Sequence, residues 1–266
     1  MGASAVQAEP TDHLPVIKQV SPSACLRWLA LGWADFRTAG WPSLLHGVIV
    51  TVASIVILSV AFLYWPLLPG AVTGFVLVGP ILATGLYALS RRLENGETPT
   101  IRDSVAIWRR GSRHLLGLSA LLVLAGTAWV LISMLLFRLF VDDAIEAPLD
   151  FLRYVVSQDD ILFMLWMILG GLGVAVVFGF TVVSVPLLID REIDLRSAML
   201  VSLRAVGDNP VATSVWAILI AIITGLSVAT LMLGFLILYP VLGHASWHAY
   251  RDLVDASNLT PRSIED

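Results

Sequence analysis

The residues with the clearest chemical potential lie near the C-terminal end of the chain. His244 and His248 are four residues apart, so a helix would place both imidazoles on one face. Two imidazoles do not complete a metal site, because zinc takes four ligands and at least three of them come from the protein. A carboxylate such as Glu94 or Asp190 would have to converge with them. An enzymatic role depends on that convergence, and His244 and His248 are the candidate metal ligands.

Other patterns that carry chemistry are missing from the sequence. It contains no Gly-rich phosphate loop, no HExxH zinc motif and no GxSxG nucleophile elbow. Cys25 is the single cysteine, which excludes an intrachain disulfide and a thiolate metal cluster. We therefore predict a protein that is not an enzyme and has no cofactor.

The composition indicates a membrane protein. Hydrophobic residues make up 58% of the chain and charged residues only 14%, against about 25% charged in soluble domains. The mean hydropathy is +0.86. We predict the lipid bilayer as the main partner of the chain and no nucleic-acid partner.

Five apolar runs are long enough to cross a bilayer, for which about 20 residues suffice. They cover residues 44–65, 67–89, 115–140, 161–189 and 211–250. The fifth is either one long helix or two short crossings with a turn near Thr224 and Gly225. The fold class is therefore all-α, a polytopic transmembrane bundle of six spans, with five as the alternative.

The distribution of basic residues favours six spans. Lys and Arg concentrate in short cytoplasmic loops, and six spans place fourteen of the sixteen basic residues on one side. Five spans would move Arg251 and Arg262 to the other side. We predict an inner-membrane protein with a cytoplasmic N terminus and the C terminus on the same side.

A proline signature suggests that the chain is built from three units. Pro80 precedes Arg91 by the same spacing as Pro240 precedes Arg251, and Pro186 marks a looser copy. Prolines at these positions should bend the helices, either as packing bends or along a solute path. We read each unit as an amphipathic interfacial helix followed by a hairpin of two spans. The apolar stripes of the interfacial helices are Leu26, Leu29, Trp33 and Phe36; Ile101, Val105 and Trp108; and Leu195, Met199, Leu203 and Val206.

Two further groups of residues are candidates for contacts. Small residues let transmembrane helices approach closely, within the bundle or in an oligomer. These are Gly70, Gly74, Gly171, Ala175 and Gly179. Arginines near the cytoplasmic ends could meet anionic lipid or act only as an orientation signal. These are Arg91, Arg92, Arg109, Arg110 and Arg251.

The chain should form one structured unit between two tails. Residues 1–20 contain two prolines and no apolar run, which predicts a disordered cytoplasmic tail. Residues 21–254 form the transmembrane domain, and residues 255–266 a flexible C-terminal tail.

Three stretches resemble a known family. Residues 240–251, 90–97 and 185–191 are similar to bacterial integral membrane proteins grouped as domain of unknown function 2189. The resemblance covers nearly everything after Ser21. It implies a bacterial inner-membrane protein, and it brings no established activity, substrate or cofactor.

Two functional classes follow from these observations. The chain could be an accessory or scaffold protein that contacts lipid and a membrane-protein partner or further copies of itself. It could instead be a transporter or channel for a small solute or ion. The spans lack a carboxylate near their middle, which favours the scaffold, because ion-coupled transporters usually keep one there. A wet cavity past Thr84, Ser184 and Thr230 would favour transport.

Overall fold

The structure, a computed structural model, describes residues 14–64, 67–110, 112–140 and 161–263. It is about 80% helical, which confirms the all-α class. The helices are α1 (Ala24–Ala39), α2 (Trp41–Leu63), α3 (Leu68–Leu82), α4 (Thr84–Glu94), α5 (Ile101–Arg110), α6 (Arg113–Phe140), α7 (Ile161–Thr181), α8 (Ser184–Asp190), α9 (Leu195–Asp208), α10 (Pro210–Ala229) and α11 (Phe235–Leu253). Two short strands, β1 (Val16–Ile17) and β2 (Val254–Asp255), pair antiparallel.

Within the described ranges, four segments are long and apolar enough to cross a membrane. They are Trp41–Ala61, Arg113–Leu136, Met164–Asp190 and Pro210–Ala229. Two further spans expected from the sequence correspond to α3 and α11, which do not meet this length and composition. The count of six therefore stays a prediction.

The turn of the last hairpin differs from the expected position. The sequence predicts it near Thr224 and Gly225, but α10 continues through both residues to Ala229. The chain turns at residues 230–234 instead, where Leu231 and Met232 have φ angles of 53° and 70°. A helix tolerates one glycine at a cost of about 1 kcal/mol, so Gly225 is too weak a signal to end α10.

The packed core lies at one end of the molecule. Residues 83–90 in α4 and 181–190 around α8 are all buried, as is most of α11 after Tyr239. The long apolar helices instead expose large side chains, among them Val56, Leu124, Ile168 and Ile218. Such faces suit lipid rather than water.

Two of the small residues lie in a close helix contact. A Cβ placed on Gly70 would lie 2.8 Å from the Val130 Cα, and one on Gly74 would lie 2.9 Å from a methyl of the same valine, so α3 and α6 touch along their backbones. On α7, Gly171 has open space around it and Ala175 is exposed. Gly179 faces the end of the Leu203 side chain.

A proline and a glycine set the contact between α2 and α11. Pro240 has no N–H, so the carbonyl of Leu236 loses its helical partner. That oxygen faces Gly47, where an added Cβ would lie only 2.0 Å away. The backbone of α2 therefore packs directly on α11. Ser43 contacts His244 further along the pair, so the two helices run antiparallel.

The three helices expected at the interface do not bury their apolar stripes as a whole. In α1 the buried side chains include Cys25 and Trp28, whereas Leu26 is 67% and Trp33 is 46% exposed. In α5, Val105 is exposed while Ser104 and Ile107 are buried. In α9, by contrast, Leu195, Met199 and Val206 pack against the core and Leu203 is exposed. The stripes are therefore only partly turned toward the core.

Parts of both expected tails are paired with each other. Val16 pairs with Asp255 across the two strands. Further along, Arg262 donates its backbone N–H to Asp190, and Glu192 donates to Thr260. Residues 255–263 therefore differ from the predicted flexible tail, because the ends of the chain supply hydrogen bonds to each other and to the residues after α8. Residues 1–13 and 264–266 lie outside the described residues.

We predict that Gly47→Ala lowers the stability of the protein by about 2 kcal/mol, since overpacking a close contact typically costs 1–3 kcal/mol. The added methyl would force α2 away from the Leu236 carbonyl. Gly225→Ala is the matched control, because it also adds a methyl to a helix but meets no atom within 4 Å. Thermal unfolding in detergent measures both variants. Equal midpoints would contradict the close contact.

Candidate functional site

Three helical segments, each at or just after one of the three prolines, meet in the core. These exit segments are α4, α8 and the part of α11 after Pro240, and they contact one another. Each brings polar side chains into a region that is otherwise apolar. The polar groups form two neighbouring networks, one around His244 and one around Asp190.

The histidine network joins α1, α2, α4 and α11 through hydrogen bonds. Ser90 donates its hydroxyl to Asp35 over 2.7 Å. The Ser90 oxygen can therefore accept a hydrogen bond from Nδ1 of His244, also at 2.7 Å. Nε2 of His244 lies 2.7 Å from the Ser43 hydroxyl. His248 adds a bond from its Nε2 to Asp35 over 2.9 Å.

This connectivity resembles a hydrolase triad, but its chemistry is different. A triad needs a serine that a substrate can reach and a carboxylate that contacts the histidine. Ser43 and His244 are fully buried, and Ser90 stands between the histidine and Asp35. The network can therefore hold four helices together and pass a proton along hydrogen bonds, while Ser43 is closed to a dissolved substrate.

The two predicted metal ligands do not form a metal site with each other. Both ring nitrogens of His244 face serine hydroxyls, whereas His248 faces Asp35. Among the described residues, no group of three or more His, Cys, Asp or Glu side chains is placed to hold a metal ion. Glu94 and Asp190, the carboxylates considered as third ligands, belong to the second network.

The second network is built around Asp190, whose side chain is only 7% exposed. Nε of Arg91 lies 3.2 Å from one carboxylate oxygen. The other oxygen accepts the Tyr250 hydroxyl over 2.8 Å, lies 3.0 Å from Arg191 and 3.5 Å from Arg251. One carboxylate of α8 therefore contacts α4 and α11 at the same time.

Glu94 offsets part of the remaining positive charge of this network. It accepts Arg251 at 2.8 Å and the indole N–H of Trp247 at 2.9 Å. Burial lowers the pKa of Arg91, and the carboxylate of Asp190 opposes that shift. Burial also acts to lower the pKa of Arg251, but Glu94 and Asp190 outweigh it and the pKa is raised. Both guanidiniums are thus paired with carboxylates inside the protein.

The arginines expected to meet lipid are largely engaged inside the protein. Arg91 and Arg251 pair with the carboxylates above, and Arg92 pairs with Glu97 and Asp103. The side chains of Arg109 and Arg110 lie outside the described residues. Three of the five candidates thus already have carboxylate partners.

Two cavities occur near these networks. One of about 150 Å³ is lined by Arg91, Arg92, Asn95, Asp103 and Arg262 among others. A shallower one of about 450 Å³ lies between the starts of α6 and α9.

Neither cavity reaches the three hydroxyls considered for a solute path. Those of Thr84, Ser184 and Thr230 bond to carbonyls of their own chain segments, at 2.7, 2.5 and 2.9 Å. Their hydrogen bonds are therefore local and do not mark a wet passage.

Three members of the histidine network were not found from the sequence. Asp35, Ser43 and Ser90 belong to separate helices and have no spacing that links them. Ser90 does stand beside the repeated arginine Arg91, and Asp35 is the single acid of α1. These were usable signals, but only the fold brings the residues together.

The family comparison agrees with the resemblance. Residues 67–190 match the family model described as "Predicted integral membrane protein (DUF2189)". The matched segment contains residues 90–97 and nearly all of 185–191. It does not reach residues 240–251, so it is narrower than the sequence analysis expects. No curated protein and no solved structure matches the chain.

We predict that Ser90→Ala costs about 2 kcal/mol of stability, because it removes one hydrogen-bond partner from His244 and one from Asp35. The matched control is Ser54→Ala. Ser54 is also buried but bonds only to the carbonyl of Val50 in its own helix. Unfolding in mixed micelles would measure the difference. A loss of equal size in both variants would mean that the network contributes no more than a helix-internal bond.

We also predict that Asp190→Asn destabilises the protein by about 3 kcal/mol, because removing one partner of a buried ion pair leaves the others uncompensated. Arg91 is the partner of Asp190 on α4, and its side chain is only 16% exposed. The double variant Asp190→Asn with Arg91→Gln should therefore recover part of the loss. Asp252→Asn, at a more exposed pair with Arg27, is the control and should cost less than about 1 kcal/mol. A fully additive double variant would show that the two charges are not coupled.

Proposed function

We propose that this protein is a non-enzymatic accessory or scaffold protein of the bacterial inner membrane, which contacts lipid and other membrane proteins. The observation that carries the proposal is that the molecule divides into a core with internally paired polar groups and long helices with uncovered apolar faces. The principal polar groups of the core, those around His244, Asp190 and Glu94, bond to the chain's own residues. The long helices meanwhile leave apolar faces uncovered. A rigid core with open apolar faces suits holding partners.

The paired ends of the chain support a topology with both termini in the cytoplasm. β1 and β2 are hydrogen-bonded to each other, which supports a topology with both ends of the domain on one side of the membrane. This agrees with an even number of crossings and argues against five. Together with the arginine distribution, it supports three hairpins that enter from the cytoplasmic side.

The exposed stripes support an interfacial position for α1, α5 and α9. Leu26 and Trp33 of α1 project away from the core, as apolar residues of a helix at the headgroup level should. α9 likewise exposes Leu203 beside the charged Arg204. We therefore assign lipid contact to these helices, and to their exposed arginines rather than to Arg91 and Arg251. The exposed arginines include Arg27, Arg37, Arg102, Arg196 and Arg204.

α7 offers a face for a protein partner. Gly171 and Ala175 are exposed one helical turn apart, and no atom lies within 4 Å of a Cβ added to Gly171. Small residues in a membrane helix permit a second helix to approach closely. Because none of the described helices covers them, we assign them to contact with another chain.

The test is native mass spectrometry of the protein released gently from its own membrane. We expect stoichiometric co-purification of another membrane protein. Gly171→Leu should reduce that yield, because the larger side chain blocks the close approach while meeting open space in the monomer. Gly225→Leu is the control, since its surroundings in α10 are also open.

Two results would count against this function. A protein that is released without any partner would overturn the scaffold role. A homo-oligomer that carries a bound small solute would favour the transport alternative.

A further inference from the structure

The last hairpin, α10 and α11, reaches only part of the way along α2. The carbonyl of Leu236, at the start of α11, lies against Gly47, the seventh residue of α2. Because the two helices run antiparallel, the turn at residues 230–234 lies about 5 Å beyond Gly47 along α2, one turn of helix. α2 itself continues for another sixteen residues, to Leu63.

These positions give the depth of the turn in the bilayer. A helix rises about 1.5 Å per residue, so Gly47 lies about 9 Å from Trp41, and the turn about 15 Å from it. The hydrocarbon core is about 30 Å thick. If Trp41 lies at the near boundary of the core, the turn lies close to the bilayer centre. The end of α2, about 33 Å from Trp41, reaches the far side.

The start of α10 leads to the same depth. Sγ of Cys25 bonds to the carbonyl of Ala212, and Trp28 packs edge-on against Trp216. Trp28 also bonds to Asp252, near the end of α11. The first two turns of α10 therefore belong to the packed core. The thirteen residues from 217 to 229 remain, about 20 Å of helix. α10 as a whole is long enough to cross a membrane, but the part beyond the packed core is shorter than the roughly 30 Å of the hydrocarbon.

The backbone of the turn is closed by its own hydrogen bonds. Each N–H from residue 230 to residue 238 donates to an oxygen within residues 226–234. The hydroxyls of Ser227 and Thr230 also donate to carbonyls of the hairpin. A turn in hydrocarbon needs this, because no water is there to satisfy a free donor.

The side chains of the turn are suited to acyl chains. Leu231 is 73% and Leu233 is 63% exposed, while Met232 points into the core. Between Asp208 and Arg251 the sequence contains no Asp, Glu, Lys or Arg. A turn on the far surface of the membrane would place these leucines in water or among headgroups.

We propose that α10 and α11 form a re-entrant hairpin, which enters and leaves on the side of the termini and whose tip contacts acyl-chain ends at the bilayer centre. This replaces the last two of the six predicted crossings by a partial insertion. Both termini stay on the same side. The proposal rests on α2 crossing the membrane and does not depend on the scaffold role.

Cysteine labelling tests the proposal. Cys25→Ser removes the single native cysteine and keeps a hydrogen-bond donor for Ala212. In that background Leu231→Cys places a thiol at the tip, at a side chain that packs little. Tyr64→Cys, beyond the end of α2, and Asn95→Cys, after α4, are exposed controls for the two sides. Sealed vesicles of both orientations are treated with a membrane-impermeant maleimide.

We expect the thiol at residue 231 to remain unlabelled when the maleimide is applied from either side. Tyr64→Cys should react only from the far side and Asn95→Cys only from the side of the termini. A fluorophore attached to the residue-231 thiol in detergent should, after reconstitution, be quenched more by a nitroxide near the methyl end of the acyl chain than by one near the glycerol.

Labelling of residue 231 from the far side would show a full crossing and overturn the proposal. Labelling from the near side, or stronger quenching by the shallow nitroxide, would show that the tip does not reach the centre and would also overturn it. Leu233→Cys repeats the test at the second exposed leucine, so that a folding defect of one variant does not decide the result.

Discussion

The carboxylate of Asp190 is the interaction on which the rest of the structure depends. It contacts Arg91 of α4 and both Arg251 and Tyr250 of α11, so a single group on α8 connects all three exit segments. A buried carboxylate is costly unless it is paired, and that cost makes the arrangement specific. The exit segments must meet with these side chains in register. The core forms around this point, and the long apolar helices extend from it.

The membrane explains why the core lies at one end. Lipid is as apolar as leucine, so helices inside the bilayer gain little by hiding leucine from it and associate mainly where small residues allow close contact. Gly70 and Gly74 against α6, and Gly47 against α11, are such places. Near the aqueous side, burial of apolar surface is again favourable. The large buried side chains, including Trp28, Trp216 and Trp247, belong to this core.

The sequence predicted the helical class and the membrane setting, because these depend on composition. It also predicted that Pro80 and Pro240 lie within helices, because the apolar runs continue on both sides of them. It also placed Arg91, Arg251 and the two histidines near one end of the bundle. It did not predict that Asp35, Ser43 and Ser90 surround His244, since residues on α1, α2 and α4 acquire a common location only through the fold. The turn after Ala229 was missed for a related reason. Its hydrogen bonds are mainly backbone bonds, with one to the Thr230 hydroxyl, and they leave no composition signal, whereas Gly225 gave a misleading one.

A partly inserted last hairpin has a consequence for the shape of the protein in the membrane. The half of the bilayer nearer to the termini would contain the whole inserted length of α10 and α11. It would also contain the near halves of the other long helices and the apolar edges of α1, α5 and α9. Of the described helices, the far half would contain α2, α3, α6 and α7. Such a body is wider in one leaflet than in the other, and binding of amphipathic elements to a leaflet depends on its curvature and lipid packing. The same asymmetry leaves the far part of α2 uncovered, where Val56, Val60 and Leu63 are exposed. That part of α2 is a second place, besides α7, where another membrane helix would bury apolar surface that this chain leaves to lipid.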